Sequence, residues 1–235
     1  MSLLDSNLTN APQRSGAGID WSQIQTILLD MDGTLLDRHF DDVFFLQTIP
    51  EAYAALHHLD LDVSRQRVLI AYKQVEGTLN WYDLDYWSRQ LNLDVPALQQ
   101  QVAHLIQTHP HVTNFLQQLQ KQGHPVHLVT NAHPQSLALK LSRTPIGLYL
   151  TGIVTSHDFG YPKEYTQFWD LLQKKLGFDP ARTLFVDDSE AILERAAAFG
   201  IGHLVHMAQP SSAIPPAFSR RFFSIVGFHQ IHGHE

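Results

Sequence analysis

Thr26-Ile27-Leu28-Leu29-Asp30-Met31-Asp32-Gly33-Thr34 is the stretch on which the fold turns. Its first residues form a short apolar run, the pattern of a strand buried on both faces. The run then gives way to two acids spaced i and i+2 and a glycine, the composition of a loop in which the backbone turns sharply. Ligands of open parallel sheets bind beyond the carboxyl ends of the strands, so a strand that ends in acids ends at a site.

Similar runs recur at Val126–Thr130, Gly152–Thr155 and Thr183–Asp187, with a weaker fifth at His203-Leu204-Val205-His206. Helical patterns separate them. Phe168, Leu171, Leu172 and Leu176 fall at i, i+3, i+4 and i+8, and Gly177 follows as a C′ residue. Ser189 is placed to N-cap a helix running to Phe199, with Gly200 as its stop. Strands alternating with helices predict an α/β fold with a doubly wound, Rossmann-like parallel sheet.

Residues 39–108 break that rhythm. They read as helices over 41–59 (interrupted at Pro50), 62–78, 84–91 and 94–108, with no convincing strand. A crossover between parallel strands needs only about a dozen residues, so this segment is expected to be an inserted all-helical lobe. A helix over 111–122, closed by Gly123, leads back to the sheet. The expected organisation is a loose leader over 1–20, an α/β core from 21–38 and 109–208, the helical insert over 39–108, and a tail over 209–235.

Composition limits the partners. Sixteen Lys and Arg against 23 Asp and Glu leave a net charge of −7, which repels both nucleic-acid backbone and anionic lipid. There is no cysteine, which excludes disulfide frameworks, thiolate metal sites and cysteine nucleophiles. No apolar run reaches the ~18 residues that cross a bilayer. A cytosolic protein with a small-molecule ligand is expected.

Four groups at strand ends suit phosphoryl chemistry. Asp30-x-Asp32-Gly33 is the first, and Thr130-Asn131, ahead of a helix starting near Pro134, offers a hydroxyl, an amide and an anion cradle. Lys163 supplies a cation just upstream of another helix, and Asp187-Asp188 a second acidic pair. Each alone has a plain alternative: a helix cap or turn former for the acids, a solvated charge for Lys163, a satisfied hydroxyl for Thr130. The ordered set of four is far more specific than its members.

In that order, Asp30-x-Asp32-Gly33-Thr34, Thr130-Asn131, Lys163 and Asp187-Asp188 resemble the four-motif signature of the haloacid dehalogenase superfamily of phosphohydrolases. The likeness spans residues 24 to about 206. Leu79-Asn80-Trp81-Tyr82, Thr130-Asn131-Ala132-His133-Pro134 and Phe185-Val186-Asp187-Asp188-Ser189-Glu190 are similar to the family's purine 5′-nucleotidases acting on GMP and IMP. One departure is that Pro162 precedes Lys163, where the family usually has the reverse order.

The resemblance implies that the insert is a mobile cap and that Asp30 attacks phosphorus to form an aspartyl-phosphate. It implies magnesium held by Asp30, the backbone carbonyl of Asp32 and Asp187, with Asp188 acting through water. Asp32 would protonate the leaving oxygen and later take a proton from water. Lys163, Thr130 and Asn131, with N–H groups around Gly33 and after Thr130, would bind the phosphoryl oxygens.

Trp81, Tyr82, Tyr86 and Trp87 place four large aromatics in seven residues. They are either the core of the insert or a stacking surface for a base, and the family likeness favours at least one ring at the base. On one helix Tyr82 and Tyr86 would share a face. Asn80, Asp83, Asp85 and Arg89 are candidates to read a purine edge. Of fifteen histidines, only His133 beside the phosphate cradle is a candidate for substrate contact; its alternative is a helix N-terminal residue. Two other readings stay open: a phosphatase for a small sugar or carboxylate phosphate, and a phospho-accepting signalling module. The insert and the singly spaced acids argue against the module.

Overall fold

The computed structural model describes residues 19–231; the segments 1–18 and 232–235, which hold most of the expected leader and the end of the chain, lie outside the described residues. In chain order the strands are β1 (Thr26–Leu29), β2 (Val126–Thr130), β3 (Gly152–Thr155), β4 (Thr183–Asp187), β5 (His203–Met207) and β6 (Phe223–Ile225). They form one sheet in the order β3-β2-β1-β4-β5-β6, with every neighbouring pair parallel. The expected doubly wound α/β sheet is the fold observed. The chain winds outward from β1 in both directions, so β1 and β4 flank the switch point where such sheets bind ligands.

Burial explains why the strands read as continuous apolar runs. Ile27 and Leu29 face one cluster with Phe115, Leu116 and Leu119, while Leu28 between them faces another with Phe168, Trp169 and Leu172. The first three belong to a helix over Val112–Lys121 and the others to one over Thr166–Leu176. A strand covered on both faces keeps no polar side to alternate with.

The helices before β2 are α1 (His39–Val43), α2 (Ile49–His57), α3 (Leu61–Val75), α4 (Leu79–Tyr82), α5 (Leu84–Leu91), α6 (Val95–Val102) and α7 (Val112–Lys121). After β2 come α8 (Pro134–Arg143), α9 (Thr166–Leu176) and α10 (Glu190–Phe199). Helices α2 to α6 bury an apolar centre of their own, including Phe44, Val68, Tyr72, Leu84, Trp87 and Val95. Asp83 caps α5 by accepting from the N–H groups of Asp85 and Tyr86, and Asn92 ends it in the left-handed conformation.

Three expectations are corrected. Pro50 does not interrupt its helix: one widened turn, Phe44–Thr48, joins α1 to α2, with the Ile49 N–H donating to Phe44 O. The Phe45 carbonyl, left spare near the proline, accepts from the Tyr72 hydroxyl at 3.3 Å. Tyr82 and Tyr86 do not share a helical face, because α4 ends at Tyr82 and Asp83 starts α5. The chain after residue 209 also supplies a sixth strand at the sheet edge. Phe228 and Ile231 are buried beyond it, with Phe228 stacked on Phe115 at 4.5 Å between ring centres. A three-residue strand among Pro and Ser carries too little pattern to read.

Candidate active site

Asp30 lies one residue beyond β1, its N–H donating to Val186 O at 3.0 Å, so the β1–β4 pairing itself sets its position. Asp187 ends β4. Lys163 reaches both across the loop that follows β3, with Nζ 2.5 Å from Asp30 Oδ1 and 2.7 Å from Asp187 Oδ2. Carboxylate oxygens of Asp30, Asp187 and Asp188 lie within 4.8 Å of one another. Three hard oxygen donors this close suit magnesium.

The reversed Pro162-Lys163 order does not misaim the amine. The Lys163 N–H donates to Asn131 Oδ1 at 2.9 Å and its carbonyl accepts from Trp169 Nε1 at 2.8 Å, fixing the backbone from both sides. The Asn131 amide nitrogen donates to Glu164 Oε2 at 3.1 Å. Through its side chain Asn131 braces the lysine loop. Thr130 is buried, and its Oγ1 accepts from the Ala132 N–H at 3.0 Å, which leaves the hydroxyl proton to donate.

Burial dominates the electrostatics. With only the protein's own groups counted, burial pushes Asp30 up to about 7 and Asp187 to about 6, and neighbouring carboxylates add to both. Asp188 is pushed up to about 7 by burial and then by Asp30, although Arg38 Nη1 sits 2.8 Å from its Oδ2. Burial opposes charge on Lys163, but Asp187 and Asp30 outweigh it and hold the ammonium charged. The site carries more negative charge than its lysine balances, which favours a cation.

Gly33 corrects another expectation. Its N–H is taken by Leu36 O at 2.7 Å and is not offered to phosphate. Its contribution is shape. Gly33 sits at φ +82°, and a Cβ there would stand 2.5 Å from Asp188 Oδ2 and 3.0 Å from Pro210 Cβ. Gly33→Ala is expected to displace Asp188, to destabilise the fold by about 1–3 kcal/mol and to lower kcat at least tenfold. Urea unfolding and phosphate-release assays measure the two effects.

Above the acids lies a cavity of about 510 Å³ between the sheet's carboxyl end and the helical lobe. Phe45, Leu46, Tyr72, Trp81 and Tyr82 form part of its lobe-side wall. Of the four expected aromatics, Trp81 and Tyr82 face the cavity and Trp87 is mainly lobe core, its Nε1 donating to Trp81 O at 3.0 Å. Tyr86 packs edge-on against Trp87 and does not line the cavity. The Tyr82 hydroxyl donates to Glu164 Oε1 at 2.6 Å, tying the lobe to the lysine loop.

His133 lines the cavity and also caps α8, its Nδ1 accepting from the Gln135 N–H at 3.3 Å. A neutral ring bonded that way carries its proton on Nε2, which lies 3.8 Å from carboxylates of both Asp83 and Asp85. His133, Asp83 and Asp85 thus form a cluster whose ligand atoms lie within 4.8 Å of one another. Asp83 and Asp85 are not among the residues lining the cavity, nor are Asn80 and Arg89, the other candidates for a purine edge.

The cavity also contains residues that sequence reasoning passed over: Arg38, Asp41, Gln99, Ser136 and Lys140. Lys140 Nζ lies 2.7 Å from Asp32 Oδ1 and 2.7 Å from Asp41 Oδ1. Ser136 and Lys140 are four residues apart on α8, both buried and both aimed at the site. That i, i+4 polar pair, in a helix that starts at the phosphate cradle, was the available signal.

Known proteins frame this geometry. The chain is 38% identical over 213 residues to GMP/IMP nucleotidase YrfG of Escherichia coli (strain K12), covering 91% of this chain and 96% of that one. It is 25% identical over 168 residues to pyrophosphatase PpaX of Oceanobacillus iheyensis, covering 71% and 75%. A solved HAD phosphatase from Thermococcus onnurineus shares the fold, with a TM-score of 0.73 at 21% identity over 88% of this chain and 95% of that one. Residues 24–200 match the haloacid dehalogenase-like hydrolases, from just before β1 to the end of α10. With the match extending across all four acid, hydroxyl and amine motifs, the chain belongs to the haloacid dehalogenase-like hydrolase family.

Proposed function

We propose that this hydrolase is a magnesium-dependent phosphomonoesterase that removes phosphate from purine nucleoside 5′-monophosphates. The observation that carries the reading is the Asp30–Lys163–Asp187 cluster at the floor of a cavity walled by Trp81 and Tyr82. The 38% identity to a GMP/IMP nucleotidase supports the same substrate class.

Asp30 is the nucleophile: its carboxylate, fixed by the β1–β4 pairing, attacks phosphorus and forms an aspartyl-phosphate as the ester oxygen departs. Asp32 gives that oxygen its proton and, in the second half, takes a proton from the water that hydrolyses the intermediate. Lys163 and the Thr130 hydroxyl stabilise charge on the transferring phosphoryl oxygens. Magnesium would be held by Asp30, the backbone carbonyl of Asp32 and Asp187, with Asp188 acting through water, and would offset the repulsion between these acids and an anionic substrate. Trp81 and Tyr82 offer their rings to the base. Stacking is worth about 1–3 kcal/mol per base, or roughly five- to 150-fold in affinity.

Phosphate release from GMP, IMP, AMP, CMP, phosphoglycolate and hexose phosphates, with magnesium and with EDTA, tests this. Purine nucleotides are expected to exceed the small phosphates at least about tenfold in kcat/KM. EDTA is expected to lower activity at least about 100-fold, with magnesium restoring it. Preference for phosphoglycolate or a hexose phosphate would overturn the substrate assignment, and full activity in EDTA the metal.

A further inference from the structure

Lys140 is among the largest fully buried side chains of the described residues, yet none of the steps above uses it. Its ammonium is 2.7 Å and 2.9 Å from the two Asp41 oxygens and 2.7 Å from Asp32 Oδ1, and lies 5.1 Å from the centre of the Phe40 ring. Burial opposes its charge, but Asp32 and Asp41 outweigh that and hold it protonated. Asp41 sits on α1, the helix through which the chain leaves the sheet for the helical lobe, while Lys140 sits on α8 of the core.

Taking an ammonium and two carboxylates out of water gives a fold little or nothing over an apolar filling of the same volume. What the arrangement does give is direction. Lys140 is gripped by Asp41 through both oxygens, and its ammonium also stands at ion-pair distance, 2.7 Å, from Asp32 Oδ1, a buried oxygen with no hydrogen-bond partner of its own. Asp32 itself is partly open to the cavity, with 24% of its side chain exposed, and has no comparably buried side-chain partner among the described residues.

We propose that Lys140 is a positioning residue for Asp32, bridging that carboxyl to Asp41 on α1 and so aiming the acid–base group. The inference rests on the reading of Asp32 as the proton donor. It predicts that α1, at the start of the lobe, is coupled to leaving-group protonation through one buried ammonium.

The test compares two leaving groups. A nucleoside monophosphate expels an alkoxide and needs a proton donor, whereas p-nitrophenyl phosphate expels a stable phenolate and needs little help. kcat/KM reports only the steps through departure of the leaving group, so the later attack of water does not blur the comparison. In Lys140→Met, kcat/KM for GMP or IMP is expected to fall about 30-fold, part of the 10²–10⁴-fold that a positioned acid contributes. With p-nitrophenyl phosphate the loss stays within a few-fold. Asp41→Asn, which keeps Lys140, is expected to show the same selectivity at about three- to tenfold, and serves if Lys140→Met does not fold.

Equal losses on both substrates, or no loss on either, would overturn the inference. Asp32→Asn separates it from the reading beneath it. If Asp32→Asn is selective for the alkyl ester and the Lys140 and Asp41 variants are not, the positioning role alone fails. If Asp32→Asn lowers both substrates equally, the acid assignment fails and takes this inference with it.

Discussion

Asp30→Asn is expected to lower kcat at least about 10⁴-fold, the scale of loss when an enzyme is deprived of its nucleophile. The amide is nearly the same size as the carboxyl, so the β1–β4 pairing that holds residue 30 has no reason to change. The substitution removes the attacking oxygen and one of the three carboxylates gathered there. It should not unfold the protein. Burial and the neighbouring acids already push Asp30 up to about 7, so its charge is held against resistance and a neutral group relieves it. A melting temperature within a few degrees of the parent, with phosphate release near background, is the expected pair of results. More than about 1% residual turnover, in protein shown by mass to carry no amide that has hydrolysed back to the acid, would remove Asp30 from the nucleophile's role.

Lys163→Met has the second large effect, and it falls on stability as well as rate. The ammonium is fully buried between Asp30 and Asp187, and removing one partner of a buried ion cluster costs about 3–5 kcal/mol because the others are left without compensation. The loss of charge opposite the phosphoryl oxygens is expected to lower kcat about 10²–10³-fold besides. The pH dependence identifies the cause. Asp30, Asp187 and Asp188 all lie above the ordinary carboxylate range in the parent, burial being the largest cause, and without Lys163 they rise further. A carboxyl with a raised folded-state pKa favours folding while protonated and loses that contribution as pH rises toward the folded value. Destabilisation of Lys163→Met should therefore grow between about pH 5.5 and pH 8 in urea unfolding. A deficit independent of pH would mean that lost packing, and not uncompensated charge, explains it.

Much of this protein was written locally. The run Thr26-Ile27-Leu28-Leu29 predicts a strand because both its faces are covered, and every residue in it is buried. Ser189 and Gly177 begin and end their helices as their chemistry dictates, the serine by accepting from the Ile192 N–H and the glycine by entering the left-handed region. The spacing of Asp30, Thr130, Lys163 and Asp187 along the chain implied convergence, because parallel strands all deliver their carboxyl ends to one edge.

Other features had no local signature. Phe223–Ile225 becomes a strand only because the edge of β5 offers it unpaired backbone groups. Trp81 and Tyr86 carry similar side chains, yet Asp83 starts a new helix between them, and that break decides which ring faces the cavity. Gly33 looked like a phosphate ligand by position, but Leu36 O takes its N–H, and the Asn131 side chain bonds the Lys163 N–H and Glu164.

The sequence by itself determined five of the sheet's six strands and the acids placed at the ends of β1 and β4, since strand burial and strand-end residue type are properties of short contiguous segments. Only the tertiary structure decided that Lys140, far along the chain from Asp32, touches it at 2.7 Å and ties it to Asp41. A lysine on a helix is expected to reach water, and here burial over the Phe40 ring leaves two carboxylates as the partners of its ammonium.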